Sequence, residues 1–128
     1  MPQFKSFEEL ECWKAGTIVR RFIKELIVNF PVVEKFGLTD NMRRASRSVT
    51  QNIAEGFGRF HYQENIQFCR ISRGSLFELI DQLITSLDEN YISKIEYDEG
   101  RQKNENALRL LNGYINYLEK QKKKKTKK

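Results

Sequence analysis

Apolar residues recur along this chain at spacings of three and four, interrupted by polar or glycine-containing stretches, and the pattern predicts four helices. The first segment runs from about Phe7 to Asn29. At about 100° per residue, Ala15, Val19, Phe22, Ile23 and Leu26 share one stripe. It opens on Ser6-Phe7-Glu8-Glu9, a capping box in which Ser6 caps and Glu9 reaches back, and Pro31 follows its end. The second segment opens at Thr39 or Asp40 as N-cap and runs to about Gly56, with Met42, Ala45, Val49, Ile53 and Gly56 on one face. Its short side chains at Ala45, Ser46, Ser48 and Ala54 permit close approach to a neighbouring helix. Gly56-Phe57-Gly58-Arg59 is expected to end it, with glycine in the left-handed conformation of a C-cap.

The third segment, Tyr62 to Asp88, is apolar at Ile66, Phe68, Cys69, Leu76, Phe77, Leu79, Ile80, Leu83, Ile84 and Leu87. These positions cover about half the helix circumference, more than the ~100° stripe that one core requires. A second apolar contact, with another subunit, is therefore expected. The fourth segment starts at Ser93-Lys94-Ile95-Glu96, another capping box, and carries Ala107, Leu108, Leu111, Tyr114, Ile115 and Leu118 on one face. Strand signals are weak, and the short connections suit antiparallel neighbours. The expected fold is all-α: an antiparallel up-down four-helix bundle over residues 1–119, followed by a disordered Lys-rich tail over 120–128.

Charge divides this bundle. The net +6 comes from the tail, where residues 120–128 hold seven Lys and no acid. Residues 41–75 hold six Arg against Glu55 and Glu64, whereas residues 76–119 hold four basic and nine acidic side chains. Such polarity orients a domain on a polyanion or aligns neighbouring subunits. No apolar stretch approaches the ~20 residues of a membrane span, and MPQFKSFEEL lacks the plan of a signal peptide. The chain is read as cytoplasmic, with Cys12 and Cys69 reduced and no membrane partner.

No catalytic, metal or cofactor site is expected. His61 is the single His, and Cys12 and Cys69 lack ligand spacing for zinc. Cys69 and His61 lie two turns apart on one helix, too far for a nucleophile and its base.

The stretch Leu38-Thr39-Asp40-Asn41-Met42-Arg43-Arg44-Ala45-Ser46-Arg47-Ser48-Val49, continuing through Asn52-Ile53-Ala54-Glu55-Gly56-Phe57-Gly58-Arg59, resembles the signature of the four-helix-bundle proteins encoded in intervening sequences of bacterial 23S rRNA genes. The flanks agree. Phe7-Glu8-Glu9-Leu10 with Trp13-Lys14-Ala15 looks like that family's opening helix, and Arg73-Gly74-Ser75-Leu76 with Glu78-Leu79 resembles its third-helix motif. Thr50 stands where many relatives carry Pro. The resemblance covers about residues 4–118 and implies assembly into a ring-like homopentamer. The accessory proteins of diversity-generating retroelements, basic pentamers that bind nucleic acid and a reverse transcriptase, are more distantly similar.

Arg43, Arg44 and Arg47 lie opposite the second-helix core stripe. Arg presents a planar fork suited to phosphate, so these three, with Arg70 on the polar side of the third helix and Lys122, Lys123, Lys124 and Lys125, are candidate nucleic-acid contacts for RNA or DNA. The competing reading pairs the Arg cluster with acids of a neighbouring subunit, in a protein-interaction scaffold without a nucleic-acid role. Leu10 and Trp13, off the first helix's stripe, and Ile66, Arg73, Phe77 and Ile84 on the third are candidate subunit contacts; partial packing within the protomer is the alternative for Leu10 and Trp13. Asn52, Glu55, Gly56, Gly58 and Arg59 fit a helix-ending structural motif, with Glu55 one turn from Arg59.

Overall fold

The chain turns sharply before its first α-helix, and that turn resets the helix phase. In the computed structural model, which describes residues 4–126, Ser6 Oγ accepts from Glu8 N–H at 3.1 Å and Glu9 Oε2 accepts from Lys5 N–H at 3.1 Å. The expected Ser6 cap is present without the reciprocal half of the box, since Glu9 takes the N–H of Lys5 and not that of Ser6, and it closes only a single 3-10 turn, Phe7–Glu9. Leu10 is extended (φ −73°, ψ 128°), and α1 spans Glu11–Leu26. The extended residue turns its side chain inward, so Leu10 is buried in the protomer core rather than available to another subunit. Trp13 is half-buried against Phe7 at 5.3 Å, and Phe7 reaches Phe57 at 6.5 Å.

After a second 3-10 turn, Ile27–Asn29, and a third, Val32–Glu34, α2 spans Leu38–Phe57. Its cap comes from outside the expected residues. Gly37 is the N-cap and has no side chain, so Glu34 Oε1 accepts the Leu38 N–H at 3.1 Å while Tyr91 O–H donates to Glu34 Oε2 at 2.9 Å. Thr39 and Asp40 therefore lie inside the first turn. Met42, Ala45, Val49, Ile53 and Gly56 are buried as their spacing requires. Gly58 ends the helix in right-handed conformation (φ −74°, ψ −8°), so the left-handed glycine cap is not used. What glycine supplies here is proximity: a Cβ on Gly56 would stand 2.7 Å from Asn65 Oδ1 and 3.0 Å from the Asn65 carbonyl oxygen.

The third helix, α3, spans Tyr62–Asp88, and α4 spans Lys94–Thr126. Asn90, at φ 63°, takes the left-handed position after α3, and Tyr91 N–H donates to the Ser86 carbonyl at 2.9 Å. The α4 capping box forms as expected, Glu96 N–H to Ser93 Oγ at 3.1 Å and Ser93 N–H to Glu96 Oε1 at 2.8 Å. The four helices pack antiparallel, each against its chain neighbours, with α1 against α4 closing the bundle.

Two expectations about outer surfaces are corrected. Ile66 is fully buried in the core, because α3 sinks its first turns between α2 and α4; Phe77 and Ile84 remain exposed at 57 % and 40 %. The Lys-rich stretch is helical as far as Thr126 instead of disordered, and residues 127–128 lie outside the described region. Cations at a helix C-terminus are favoured by the helix dipole, and Lys122 Nζ donates to Gln63 Oε1 of α3. Among the described residues no helix is long and apolar enough to cross a membrane.

Candidate functional site

The α1–α2 seam is close because α1 carries Gly16, whose Cβ position lies 3.0 Å from Thr50 Cγ2 and 3.1 Å from Val49 Cγ1. One turn further along α1, Arg20 Nη1 donates to Thr50 Oγ1 at 2.9 Å, and that hydroxyl faces the Arg47 carbonyl at 3.4 Å. Thr50 thus supplies a buried oxygen that a proline could not, and it holds Arg20 against α2. Arg21 and Lys24 follow on α1, while Arg43 and Arg47 project one turn apart from α2. Together they wall a groove of about 500 Å³ whose remaining lining is Ile27, Val28 and Ser46. Among the described residues five cations and no carboxylate line it.

Asp40 tempers this field at one edge, 3.7 Å from Arg43 and 3.5 Å from Arg44. Both pairs are solvent-exposed, where such contacts contribute little. Among the described residues Arg21, Lys24 and Arg47 have no carboxylate within ion-pair distance. Arg47 also lines a second hollow of about 540 Å³ on the α3 side of α2, with Arg44, Gln51 and Glu78. The outer ridge of α2 is therefore a row of Arg between two concavities.

The other cations expected to meet nucleic acid are elsewhere. Arg70 is paired to Glu119 of α4 at 3.5 Å, and half-buried Arg73, expected at a subunit contact instead, donates to Asn112 Oδ1 at 3.0 Å, so both tie α3 to α4 within the protomer. Lys122 and Lys125 sit against the α2–α3 turn, about 20 Å along the bundle from Arg43 at 1.5 Å per residue. Arg20, Arg21 and Lys24 carry no comparable signal in the sequence. Their charge is diluted there by Glu8, Glu9, Glu11 and Glu25, and only the packing of α1 on α2 sets them opposite Arg43 and Arg47.

The motif after the α2 core is structural in its contacts. Asn52 Nδ2 donates to the Ser48 carbonyl at 2.8 Å and to Ser48 Oγ at 2.9 Å, and Ser75 Oγ donates to Ser48 Oγ at 2.8 Å. Ser72 Oγ donates to the Val49 carbonyl at 2.7 Å, making a polar seam between α2 and α3. Arg59 pairs with Glu55 at 2.9 Å and Glu64 at 3.8 Å and lies 4.8 Å from the Phe68 ring centroid. Burial pushes the Cys12 and Cys69 thiols up to about 12, with the neighbouring Cys69 adding to the rise at Cys12. Both therefore stay protonated, and poor nucleophiles, across the physiological range. No group of His, Cys, Asp or Glu among the described residues could hold a metal ion.

No curated protein matches the chain. The family comparison is positive: the profile of 23S rRNA-intervening sequence proteins matches residues 8–113, from the turn before α1 to the middle of α4, and the chain belongs to that family.

Proposed function

We propose that this protein is a non-enzymatic nucleic-acid-binding bundle that holds the phosphate backbone of RNA or DNA in the α1–α2 groove. The observation that carries the reading is the groove itself, in which Arg20, Arg21, Lys24, Arg43 and Arg47 converge from two helices without a carboxylate among the described residues that line it. Arg forks donate to phosphate oxygens in pairs, and helices packed along a seam hold the forks at set spacing. Binding of this kind reads the backbone and not the bases, so it is independent of sequence and weakens with salt.

The test is fluorescence anisotropy of a labelled duplex at rising salt. Changing Arg43 and Arg47 to Ala is expected to lower the slope of log affinity against log salt by about two, because each arginine neutralises one phosphate. An unchanged slope, or no binding at low salt, contradicts the proposal.

The assembly belongs to the same proposal. Phe77 and Ile84, two turns apart on α3 and both solvent-exposed, support a subunit contact, and the family resemblance implies a ring-like homopentamer. Sedimentation equilibrium on Phe77→Glu and Ile84→Glu checks it: the account expects loss of assembly, and a monomeric wild type would remove this part of the reading.

A further inference from the structure

The turn between α2 and α3 exposes an aromatic ring where the last turns of α4 present their lysines. Phe60 is 86 % exposed. The His61 ring stands at 84° to it with centroids 5.1 Å apart, and Lys125 Nζ lies 5.7 Å from its centroid. Beside it is an open hollow of about 320 Å³ lined by His61, Tyr62, Gln63, Lys122 and Lys125, with no carboxylate among the described residues that line it. Lys122 and Lys125 are one helical turn apart and face the same side of α4.

Phe36 is equally exposed and lies under Lys35, but its surroundings differ. Val32 and Val33 next to it are also exposed, which makes a plain apolar patch. Phe60 instead combines one π-face, one imidazole and cations from a second element. A ligand complementary to that set carries a flat ring flanked by negative charges, which is the plan of an unpaired nucleotide within a strand.

We infer that the α2–α3 turn and the end of α4 form a second site, distinct from the α1–α2 groove, in which an unpaired base of single-stranded nucleic acid stacks on Phe60 while Lys122 and Lys125 hold the adjoining phosphates. The inference rests on the nucleic-acid reading above and deepens it by naming single strands as the ligand of this end. Duplex, whose bases are already stacked, offers Phe60 no open base and is held chiefly by the groove. Because stacking is open to every base, the site tolerates any sequence.

The experiment compares a short oligouridylate with an abasic strand of the same length, using full-length protein and anisotropy. Wild type is expected to bind the oligouridylate about tenfold more tightly than the abasic strand. Phe60→Ala and Phe60→Leu erase that ratio, Phe60→Trp keeps it, and duplex affinity is unchanged in all three. Equal affinity of wild type for the two strands, or a ratio that survives Phe60→Ala, overturns the inference. So does a change in sedimentation on Phe60→Ala with the ratio intact, which would make Phe60 a protein contact. Failure of the groove reading looks different: duplex and abasic strand then ignore Arg43→Ala and Arg47→Ala, whatever happens at Phe60.

Discussion

Between α1 and α2, Arg20, Arg21, Lys24, Arg43 and Arg47 project from two helices locked together by Gly16 and by the Arg20–Thr50 hydrogen bond. Beyond Glu119, Lys122 to Lys125 project from the last turns of a single helix. The groove has fewer cations per residue of sequence, yet it holds them in fixed register, and Arg offers a fork where Lys offers a point charge. The lysine run attracts polyanions from a distance; the groove can grip one. Charge density in the sequence is therefore a poor guide to where the tighter contact lies.

The sharpest way to break this comparison is charge reversal. Arg43→Glu with Arg47→Glu is expected to lower duplex affinity on the order of a hundredfold at low salt, with helical content unchanged by circular dichroism. Deleting residues 120–128 is expected to cost only about threefold in the same assay. If the deletion costs more than the reversal, the ranking of the two regions is wrong.

The groove's geometry can be tested separately. Gly16→Val puts side-chain atoms where Thr50 and Val49 already stand, and should destabilise the fold by about 1–3 kcal/mol in urea unfolding. Thr50→Val removes the hydroxyl that anchors Arg20 and should cost about 1 kcal/mol in the same experiment. Truncation after Glu119 removes the last two turns of α4 with the Lys122–Gln63 hydrogen bond, and should change stability by about 1 kcal/mol or less. That order sharpens the contrast between a seam that is part of the core and a helix end that is not.

The interior offers a further check through pH. Both thiols have their pKa raised from 9.0 to about 12 by burial. Because the folded state favours the protonated form, their contribution to stability is complete below the unfolded value and is lost as pH rises toward 12. Unfolding midpoints are expected to fall across that window, less so in Cys12→Ala. Thiol reagent at mildly alkaline pH should modify neither Cys before unfolding.

Much of the bundle is legible in the sequence because its signals are local or periodic. The Ser93–Glu96 box and the stripes of α2 and α4 need nothing beyond their own residues. The Ser6 cap is equally visible, but a cap does not say whether the turn it closes is 3-10 or α, and the inward turn of Leu10 depends on that difference. Glycine at Gly58 suggests a left-handed cap that the chain does not require, while the need for glycine at Gly56 comes from Asn65 and Phe68, nine and twelve positions away. The lysine run reads as disordered from composition; its helix continues because α4 is already nucleated and reaches Gln63 and Phe60. Arg43 and Arg47 stand out from their distance to the α2 stripe. Arg20, Arg21 and Lys24 do not, since a groove between two helices belongs to neither one's sequence.

Chemical-shift mapping of arginine side-chain Nε–H resonances during titration with a short duplex tests the central claim most directly. The account predicts that Arg20, Arg21, Arg43 and Arg47 shift first and together, while Arg70 and Arg73, tied to α4, stay still. Shifts confined to the backbone of residues 120–126, with the four groove arginines unmoved, would contradict it.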